Sequence, residues 1–185
     1  MCVIVVKPKD KRMSEELIRA CWDSNPDGAG ISYVKKGNVI IDKGIMTVKE
    51  LIEKIDKLQN KKLVIHFRYA THGLVDEGNT HPFPVSHFHE ELRKKKIKTS
   101  VAVHHNGVIR GVKNDKILSD SQVFIRDILT MFSDEDLKIG RADKKMLDTG
   151  CKFAIMFNDG TVDTVGSWFS KDGFQFSNMN WSWRI

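Results

Sequence analysis

The spacing of apolar residues predicts a strand followed by a helix at the start of the chain. Residues 2–6 are mostly β-branched, as expected for a buried strand. Apolar side chains then recur every three or four residues, which predicts a helix over residues 14–23. The apolar stripe of that helix consists of Met13, Leu17, Ile18, Cys21 and Trp22. Cys21 is therefore expected to lie in the core.

A hairpin and a second helix are predicted next. Turn-forming residues at 25–28 precede two strand-like segments, 31–35 and 38–41, which are joined by a tight turn. The sequence at 47–50 fits a capping box, and the apolar spacing after it predicts a helix. The run at 63–67 returns to strand. The first part of the chain thus contributes both helices and strands to the core.

The rest of the chain is predicted to be mainly β-structure around one further helix. Residues 100–104 form a strand that resumes at 108–109, and a capping box at 119–122 starts the third helix. Hairpins are predicted within 153–165 and 168–176. Because helices and hairpin strands occur in separate groups, the expected fold class is α+β, with two sheets layered between helices.

Composition indicates one globular domain over residues 1–185 and excludes disorder. The chain is 41% hydrophobic, and its 30 Lys+Arg against 24 Asp+Glu give a formal net charge of +6. No apolar run is long enough for a membrane span or a signal sequence. The cysteines, at positions 2, 21 and 151, are odd in number and contain no close pair, so neither a disulfide framework nor a CxxC metal site is indicated. We therefore expect a cytoplasmic protein with reduced thiols and no membrane partner.

One basic run, Arg93–Lys98, differs from the scattered lysine pairs elsewhere. Solvated surface is the favoured interpretation. The alternative is a patch for nucleic acid or another anionic partner, but no interleaved aromatic residues or nucleic-acid motif supports it. A nucleic-acid partner is therefore not expected.

The seven histidines raise the question of a metal site. The candidate ligands are His81, His87, His89, His104 and His105. A zinc site usually presents closely spaced Cys, His or carboxylate ligands on a recognisable helix or knuckle. Because no such pattern occurs in the sequence, we expect neither a metal nor a cofactor.

Cys2 is a candidate nucleophile, because removal of Met1 would place a thiol and a free α-amine on the same residue. An α-amine has a pKa of about 7.7 to 8, close enough to the thiol pKa of about 8.5 to accept its proton. Taken alone, a cysteine in a buried strand is more often a small hydrophobic residue. Other polar segments are needed to decide between the two interpretations.

Polar groups at the ends of predicted strands suit a charged, polar ligand. Arg68 follows the strand at 63–67, and an arginine in such a place can bind a carboxylate through two hydrogen bonds. At Asn106–Gly107, a side-chain amide and a backbone N–H can point at one oxyanion, although Asn-Gly is also the strongest short hairpin signal. Asp120 lies in the first turn of a predicted helix, where the helix dipole stabilises it and a ligand ammonium would be a further partner.

The motifs occur in an order that resembles a known family. They are Cys2, Asp27–Ile31, His66–Gly73, Asn79–Pro82, His105–Gly107 and Ser119–Asp120. The series resembles the class II glutamine amidotransferase (glutaminase) domain of the N-terminal nucleophile (Ntn) hydrolase superfamily, and it runs from residue 2 to about residue 122. The resemblance implies an enzyme with a four-layer αββα sandwich.

Roles for individual residues follow from this resemblance. It implies that Cys2 attacks the side-chain amide of L-glutamine and forms a thioester, while Asn106 and the Gly107 N–H hold the oxyanion. Arg68 would bind the α-carboxylate of the substrate, and Asp120 its α-ammonium. The pocket beside the arginine would be completed by Tyr69, Thr71 and His72.

The leading hypothesis is a stand-alone glutaminase-type subunit that passes ammonia to a separate synthetase or ligase. One alternative keeps the Ntn chemistry but takes another γ-glutamyl amide as substrate. The other is a catalytically silent module that uses Arg93–Lys98 to dock an anionic partner.

Overall fold

The computed structural model describes residues 1–70, 75–112 and 115–184, and within these ranges the strands form two antiparallel sheets. The larger sheet has the strand order β10, β11, β1, β4, β2, β3, β6, and the smaller sheet has the order β5, β7, β8, β9. The strands are β1 (Val3–Lys7), β2 (Ala29–Lys35), β3 (Asn38–Ile45), β4 (Leu63–Phe67), β5 (Phe83–Pro84), β6 (Lys96–Thr99), β7 (Val101–Asn106), β8 (Lys152–Phe157), β9 (Val162–Val165), β10 (Phe169–Lys171) and β11 (Phe174–Phe176).

The helices pack outside the sheets. They are α1 (Glu15–Ser24), α2 (Val48–Lys57), α3 (His89–Arg93), α4 (Asp120–Asp127), α5 (Asp134–Lys138) and α6 (Asp143–Leu147), with short 3₁₀ helices at Glu77–Asn79, Leu129–Met131 and Ser182–Arg184. Within the described residues, none of these helices combines the length and the apolar character needed to cross a membrane.

Side-chain alternation along the central strands sorts the core into layers. Val3 and Val5 of β1 pack with α1 and α2 on the outer face of the larger sheet. Ile4 and Val6 point the other way and meet Ala154 of the smaller sheet. A further cluster joins the other face of the smaller sheet to α4, α5 and α6. Across the described ranges the layers therefore run helix, sheet, sheet, helix, which confirms the expected α+β class and the αββα arrangement.

The three longer helices begin at side-chain caps, of which those at Thr47 and Ser119 were predicted from the sequence. The Gln122 N–H donates to Ser119 Oγ, and the Ser119 N–H donates back to Gln122 Oε1, which closes the capping box before α4. The Glu50 N–H donates to Thr47 Oγ1 at the start of α2. The side chain of Ser14 caps α1 in the same way. Local capping chemistry thus fixes where these helices start.

The segment after β7 differs from the prediction. Residues 108–109 are not a strand, and Asn106–Gly107 does not lead into a hairpin. The Ile109 N–H instead donates to the Asp120 carboxylate at 2.7 Å. This bond ties the loop after β7 to the first residue of α4. It lies where the chain passes from a sheet layer to a helix layer.

The lysines of the basic run are exposed, as expected for solvated surface, but its last residues belong to a strand that was not predicted. β6 is the edge strand of the larger sheet and pairs with β3, with Ile97 opposite Ile41. Helices α3, α5 and α6 were not predicted either. Each has five residues, which is too short for a 3.6-residue periodicity to show in the sequence.

Candidate active site

The predicted site residues converge on one cavity of about 30 Å³, where the start of β1, the ends of β4 and β7 and the start of α4 meet. Of these residues, Cys2, Arg68, Tyr69, Gly107 and Asp120 line it. The remaining lining residues are Ala70, Asn79, His81, His105, Ser119 and Ser121. Two further predicted pocket residues, Thr71 and His72, lie outside the described residues.

Cys2 lies immediately before β1 with its thiol against the segment after β4. The Tyr69 N–H donates to Cys2 Sγ at 3.2 Å, and Sγ lies 3.4 Å from the Tyr69 carbonyl oxygen. The side-chain amide of Asn178 donates to the Cys2 carbonyl oxygen. Burial raises the pKa of the Cys2 thiol, and the Tyr69 N–H, the charged chain terminus and Arg68 only partly oppose this effect. The thiol is therefore protonated at neutral pH and needs a base before it can act as a nucleophile.

The backbone around Arg68 is held by the turn at Asp27–Gly28. The Arg68 N–H donates to the Gly28 carbonyl at 2.8 Å, and the Asp27 N–H donates to the Arg68 carbonyl at 3.0 Å. The Asp27 carboxylate also accepts the Ala70 N–H at 2.8 Å. These bonds explain why an Asp-Gly turn far away in sequence belongs to the same motif series as the arginine.

The Arg68 side chain is only 4% exposed, which makes it a buried cation at the cavity wall. Burial lowers the pKa of its guanidinium, while the Cys2 thiol and the carboxylates of Asp76 and Asp27 act in the opposite direction. A guanidinium nevertheless keeps its charge at neutral pH. A buried, permanently charged fork of N–H donors is suited to binding a carboxylate.

Because Gly30 in β2 has no side chain, the backbone of the segment that carries His81 can pass close to the backbone of the strand. A Cβ atom at Gly30 would lie 2.0 Å from the His81 carbonyl oxygen and 2.7 Å from Lys43 Cβ. The backbone contact cannot be relieved by turning a side chain, so any residue other than glycine would displace the segment. The position of His81 at the cavity therefore depends on this glycine.

Asn106 ends β7 beside the cavity and Gly107 follows it, but only Gly107 lines the cavity. Gly107 has φ +148, and a Cβ atom there would lie 2.5 Å from Cys151 Sγ. Its conformation and its packing thus both require glycine. The Asn106 side chain is turned aside, with Nδ2 donating to Ser177 Oγ at 2.9 Å.

Ser177 is a site residue that the sequence analysis missed. Its Oγ accepts the Ile4 N–H at 2.9 Å as well as the Asn106 amide, and its own N–H donates to the Ile4 carbonyl at 2.9 Å. Ser177 and Asn178 follow β11, which pairs with β1. The end of β11 therefore holds both the Cys2 backbone and the Asn106 side chain. The link between Ser177 and the site is visible only in the pairing of β11 with β1, and no local sequence pattern predicts it.

Asp120 is the first residue of α4, and both of its carboxylate oxygens are engaged. Oδ2 accepts the Ile109 N–H at 2.7 Å, and Oδ1 accepts the Ser121 N–H at 2.8 Å. The carboxylate is therefore fixed at the cavity, on whose wall Arg68 also lies. A cavity that carries one fixed anion and one fixed cation can orient a zwitterion.

Buried histidines cluster beside the cavity, with His66 on β4, His104 and His105 on β7, and His81 on the segment before β5. The rings of His66 and His81 stack at 4.1 Å, with His104 and His105 nearby. Nε2 of His104 hydrogen-bonds Ser32 Oγ. Burial lowers the pKa values, to about 3 for His104 and about 4 for His105, so these rings are neutral at pH 7. In the part of the chain that the structure describes, no three His, Cys, Asp or Glu residues are grouped to hold a metal ion.

Curated relatives resemble this chain over part of their length. It is 30% identical over 121 residues to glutamine-fructose-6-phosphate aminotransferase (isomerizing) from Pyrococcus horikoshii, which covers 61% of this chain and 18% of that protein. The protein of the same name from Buchnera aphidicola is 34% identical over 118 residues, or 59% of this chain and 17% of that protein. The aligned part thus spans less than a fifth of these relatives. No protein-family model matches the chain.

A solved structure shares the fold. Glutamine phosphoribosylpyrophosphate (PRPP) amidotransferase from B. subtilis, complexed with ADP and GMP, aligns with 98% of this chain and 42% of its own, with a TM-score of 0.56 and 17% sequence identity. At that identity the match concerns the fold alone. Together, the sequence similarity to the curated relatives and the shared fold make this chain similar to class II glutamine amidotransferase domains.

Proposed function

We propose that this domain hydrolyses the side-chain amide of L-glutamine through a thioester on Cys2. The observation that carries the proposal is that Cys2, Gly107, Arg68 and Asp120 line a single cavity although they come from four separate elements. A thiol, an N–H donor, a fixed cation and a fixed anion are together what the reaction requires. The similarity to glutamine-dependent aminotransferases supports the same chemistry.

The chemistry begins with removal of Met1, which frees the α-amine of Cys2. With a pKa of about 7.7 to 8, this amine takes the thiol proton as sulfur attacks the amide carbon. The oxyanion is held by the Gly107 N–H and the Asn106 amide. When the C–N bond breaks, the proton passes from the amine to the departing nitrogen, and ammonia leaves. Water then cleaves the thioester, which yields glutamate and restores the thiol.

The two charged residues explain selection of an amino acid. The Arg68 guanidinium binds the α-carboxylate of glutamine and the Asp120 carboxylate binds its α-ammonium. A volume of about 30 Å³ admits a molecule of water size, so glutamine has to widen the cavity when it binds. Among the lining side chains, Tyr69 is 47% exposed and is free to move aside.

The cellular setting is also part of the proposal. We place the protein in the cytoplasm as a single domain over residues 1–185 that delivers ammonia to a separate synthetase or ligase. Support comes from the free thiols of Cys2, Cys21 and Cys151, which suit a reducing compartment. The alternatives are an amidase for another γ-glutamyl amide and the silent basic module.

The direct test is ammonia release by the purified protein, together with its intact mass. We expect loss of Met1, hydrolysis of glutamine in preference to asparagine and to γ-glutamyl amides, and one adduct on Cys2 after treatment with 6-diazo-5-oxo-L-norleucine. Preference for a γ-glutamyl amide would favour the first alternative. Retained Met1 with neither activity nor adduct would overturn the proposal.

Replacing Asp120 by asparagine is expected to raise the KM for glutamine about tenfold or more, because a charged partner of the α-ammonium is lost. Glutaramate lacks that ammonium, so the variant and the wild type should hydrolyse it at similar kcat/KM. Asp127→Asn, a change of an exposed carboxylate on the same helix, is the matched control. Equal losses with both substrates would assign Asp120 a purely structural role.

Replacing Ser177 by alanine is expected to lower kcat about tenfold while KM changes less than twofold. Asn106 Oδ1 is buried, and no hydrogen-bond partner for it lies among the described residues. A half-turn of the amide would let the Ser177 hydroxyl donate to Oδ1 and would free both Nδ2 hydrogens for the oxyanion. Ser177→Thr should restore kcat, and Ser182→Ala, near the C-terminus, is the control. A fall in melting temperature without a fall in kcat would contradict this positioning role.

A further inference from the structure

A second cavity, of about 490 Å³, lies at the far end of the larger sheet, apart from the candidate active site. It forms where β2, β3 and β6 run side by side. It is lined by Tyr33, Lys35, Lys36, Ile40, Lys96, Ile97 and Lys98. This cavity contains part of the basic run that the proposed function leaves unused.

Strand register explains why its floor is apolar. Tyr33 lies opposite Ile40, which in turn lies opposite Lys98, so these side chains share the outer face of the sheet. Further along the same face, Ile31 packs with α2 and is fully buried. Tyr33 and Ile40 remain only partly buried. An aromatic ring and an aliphatic side chain are thus left at the floor of the cavity.

The rim is strongly positive. Among the described residues, no ion pair involves Lys35, Lys36 or Lys98. Lys96 Nζ lies 3.7 Å from the Asp42 carboxylate, but Lys54 already holds that carboxylate at 2.9 Å. The ammonium groups around the cavity therefore exceed the carboxylates available to neutralise them, which favours an anionic ligand.

Lysines that protect the exposed edge of the sheet account for only part of this positive charge. Lysines on an edge strand discourage pairing with another chain, and this explains Lys96 and Lys98 on β6. It does not explain Lys35 and Lys36, because they belong to the β2–β3 hairpin, and β2 and β3 are interior strands. The two pairs come from separate segments and meet at one cavity.

We propose that this cavity binds a small phosphate-bearing ligand of the nucleotide class. Its volume falls within the range of small-molecule sites. Lysine ammonium groups bind phosphate as point charges, and the rim supplies four of them. The base of the ligand packs on Tyr33 and Ile40, since any base offers a flat face to an aromatic ring. The site is independent of glutamine hydrolysis and would exist without it.

The test is an isothermal calorimetric titration of the full chain with ATP in low-salt buffer. The Lys35→Gln, Lys98→Gln double variant should weaken binding at least about tenfold, because two phosphate contacts are lost. The matched control is the Lys144→Gln, Lys145→Gln double variant, which removes the same charge from exposed positions on α6. Its affinity should stay within twofold of the wild type. Equal losses in both variants, or no binding of ATP, would overturn the proposal.

Two further titrations identify the ligand class. Tyr33→Leu keeps an apolar floor but removes the ring, so ATP should bind more weakly while tripolyphosphate is unaffected. Tripolyphosphate should bind the wild type more weakly than ATP does. Tripolyphosphate binding as tight as ATP binding, or tighter binding of a single-stranded oligonucleotide, would show that the cavity is not a nucleotide site.

Discussion

Replacing Cys2 by alanine is expected to abolish glutamine hydrolysis, with kcat falling at least about a thousandfold. The variant keeps the α-amine, Arg68 and Asp120, so it should still bind glutamine. It has no sulfur to form the thioester, and no other described thiol lines the cavity. The loss should therefore appear in kcat, with little change in glutamine affinity, and the measurement is ammonia release together with a binding titration.

Control variants separate the nucleophile from the other thiols. Cys21→Ala removes a thiol that is fully buried between α1 and the larger sheet, so it should leave kcat within twofold. The adduct with 6-diazo-5-oxo-L-norleucine should persist in Cys21→Ala and vanish in Cys2→Ala. Residual turnover near the wild-type rate in Cys2→Ala, or an adduct on Cys151, would place the nucleophile elsewhere.

The need for Met1 removal follows from the surroundings of the thiol. Burial raises the pKa of Cys2, so a form that keeps Met1 should be alkylated faster only as the pH rises above the thiol's ordinary range. Once the α-amine is free, its pKa of about 8 places a base on the same residue. Turnover of the processed form should accordingly rise with pH through that value.

Local sequence signals predicted the elements whose stabilisation is local. The helices capped by Ser14, Thr47 and Ser119 begin where side-chain hydrogen bonds to the first turn start them. Strand β6 was missed because the charge of the basic run concealed an alternation, in which Ile97 faces the core between exposed Lys96 and Lys98. The segment becomes a strand because it pairs with β3. The sequence of one strand does not reveal which strand it will pair with.

The candidate site shows where sequence reasoning ends. Residue chemistry alone favoured a hairpin at Asn106–Gly107, and only the order of motifs in the whole chain pointed to an oxyanion site. The structure has no hairpin there, because the Asp120 carboxylate takes the N–H of Ile109 and turns the chain toward α4. Ser177 had no motif at all. Its importance arises from the pairing of β11 with β1, which is a property of the folded sheet.

Replacing Asn106 by alanine is expected to lower kcat by about a hundredfold to a thousandfold, as is typical when one oxyanion donor is lost. The KM for glutamine should change little, because the amide acts on charge that develops only in the transition state. Asn38→Ala, which removes an exposed amide at the start of β3, is the control and should be neutral. The measurement is the steady-state rate of ammonia release by each variant.

Asn106→Asp distinguishes oxyanion stabilisation from packing. Aspartate is nearly isosteric with asparagine, so a packing role predicts a smaller loss than in Asn106→Ala. An oxyanion role predicts a loss at least as large, because a carboxylate would repel the developing charge.

Ser177 provides a second check, since it acts through Asn106. If that is so, Ser177→Ala should cost about tenfold in the wild type and almost nothing when Asn106 is already alanine. Additive losses in the double variant would show that the two residues contribute independently.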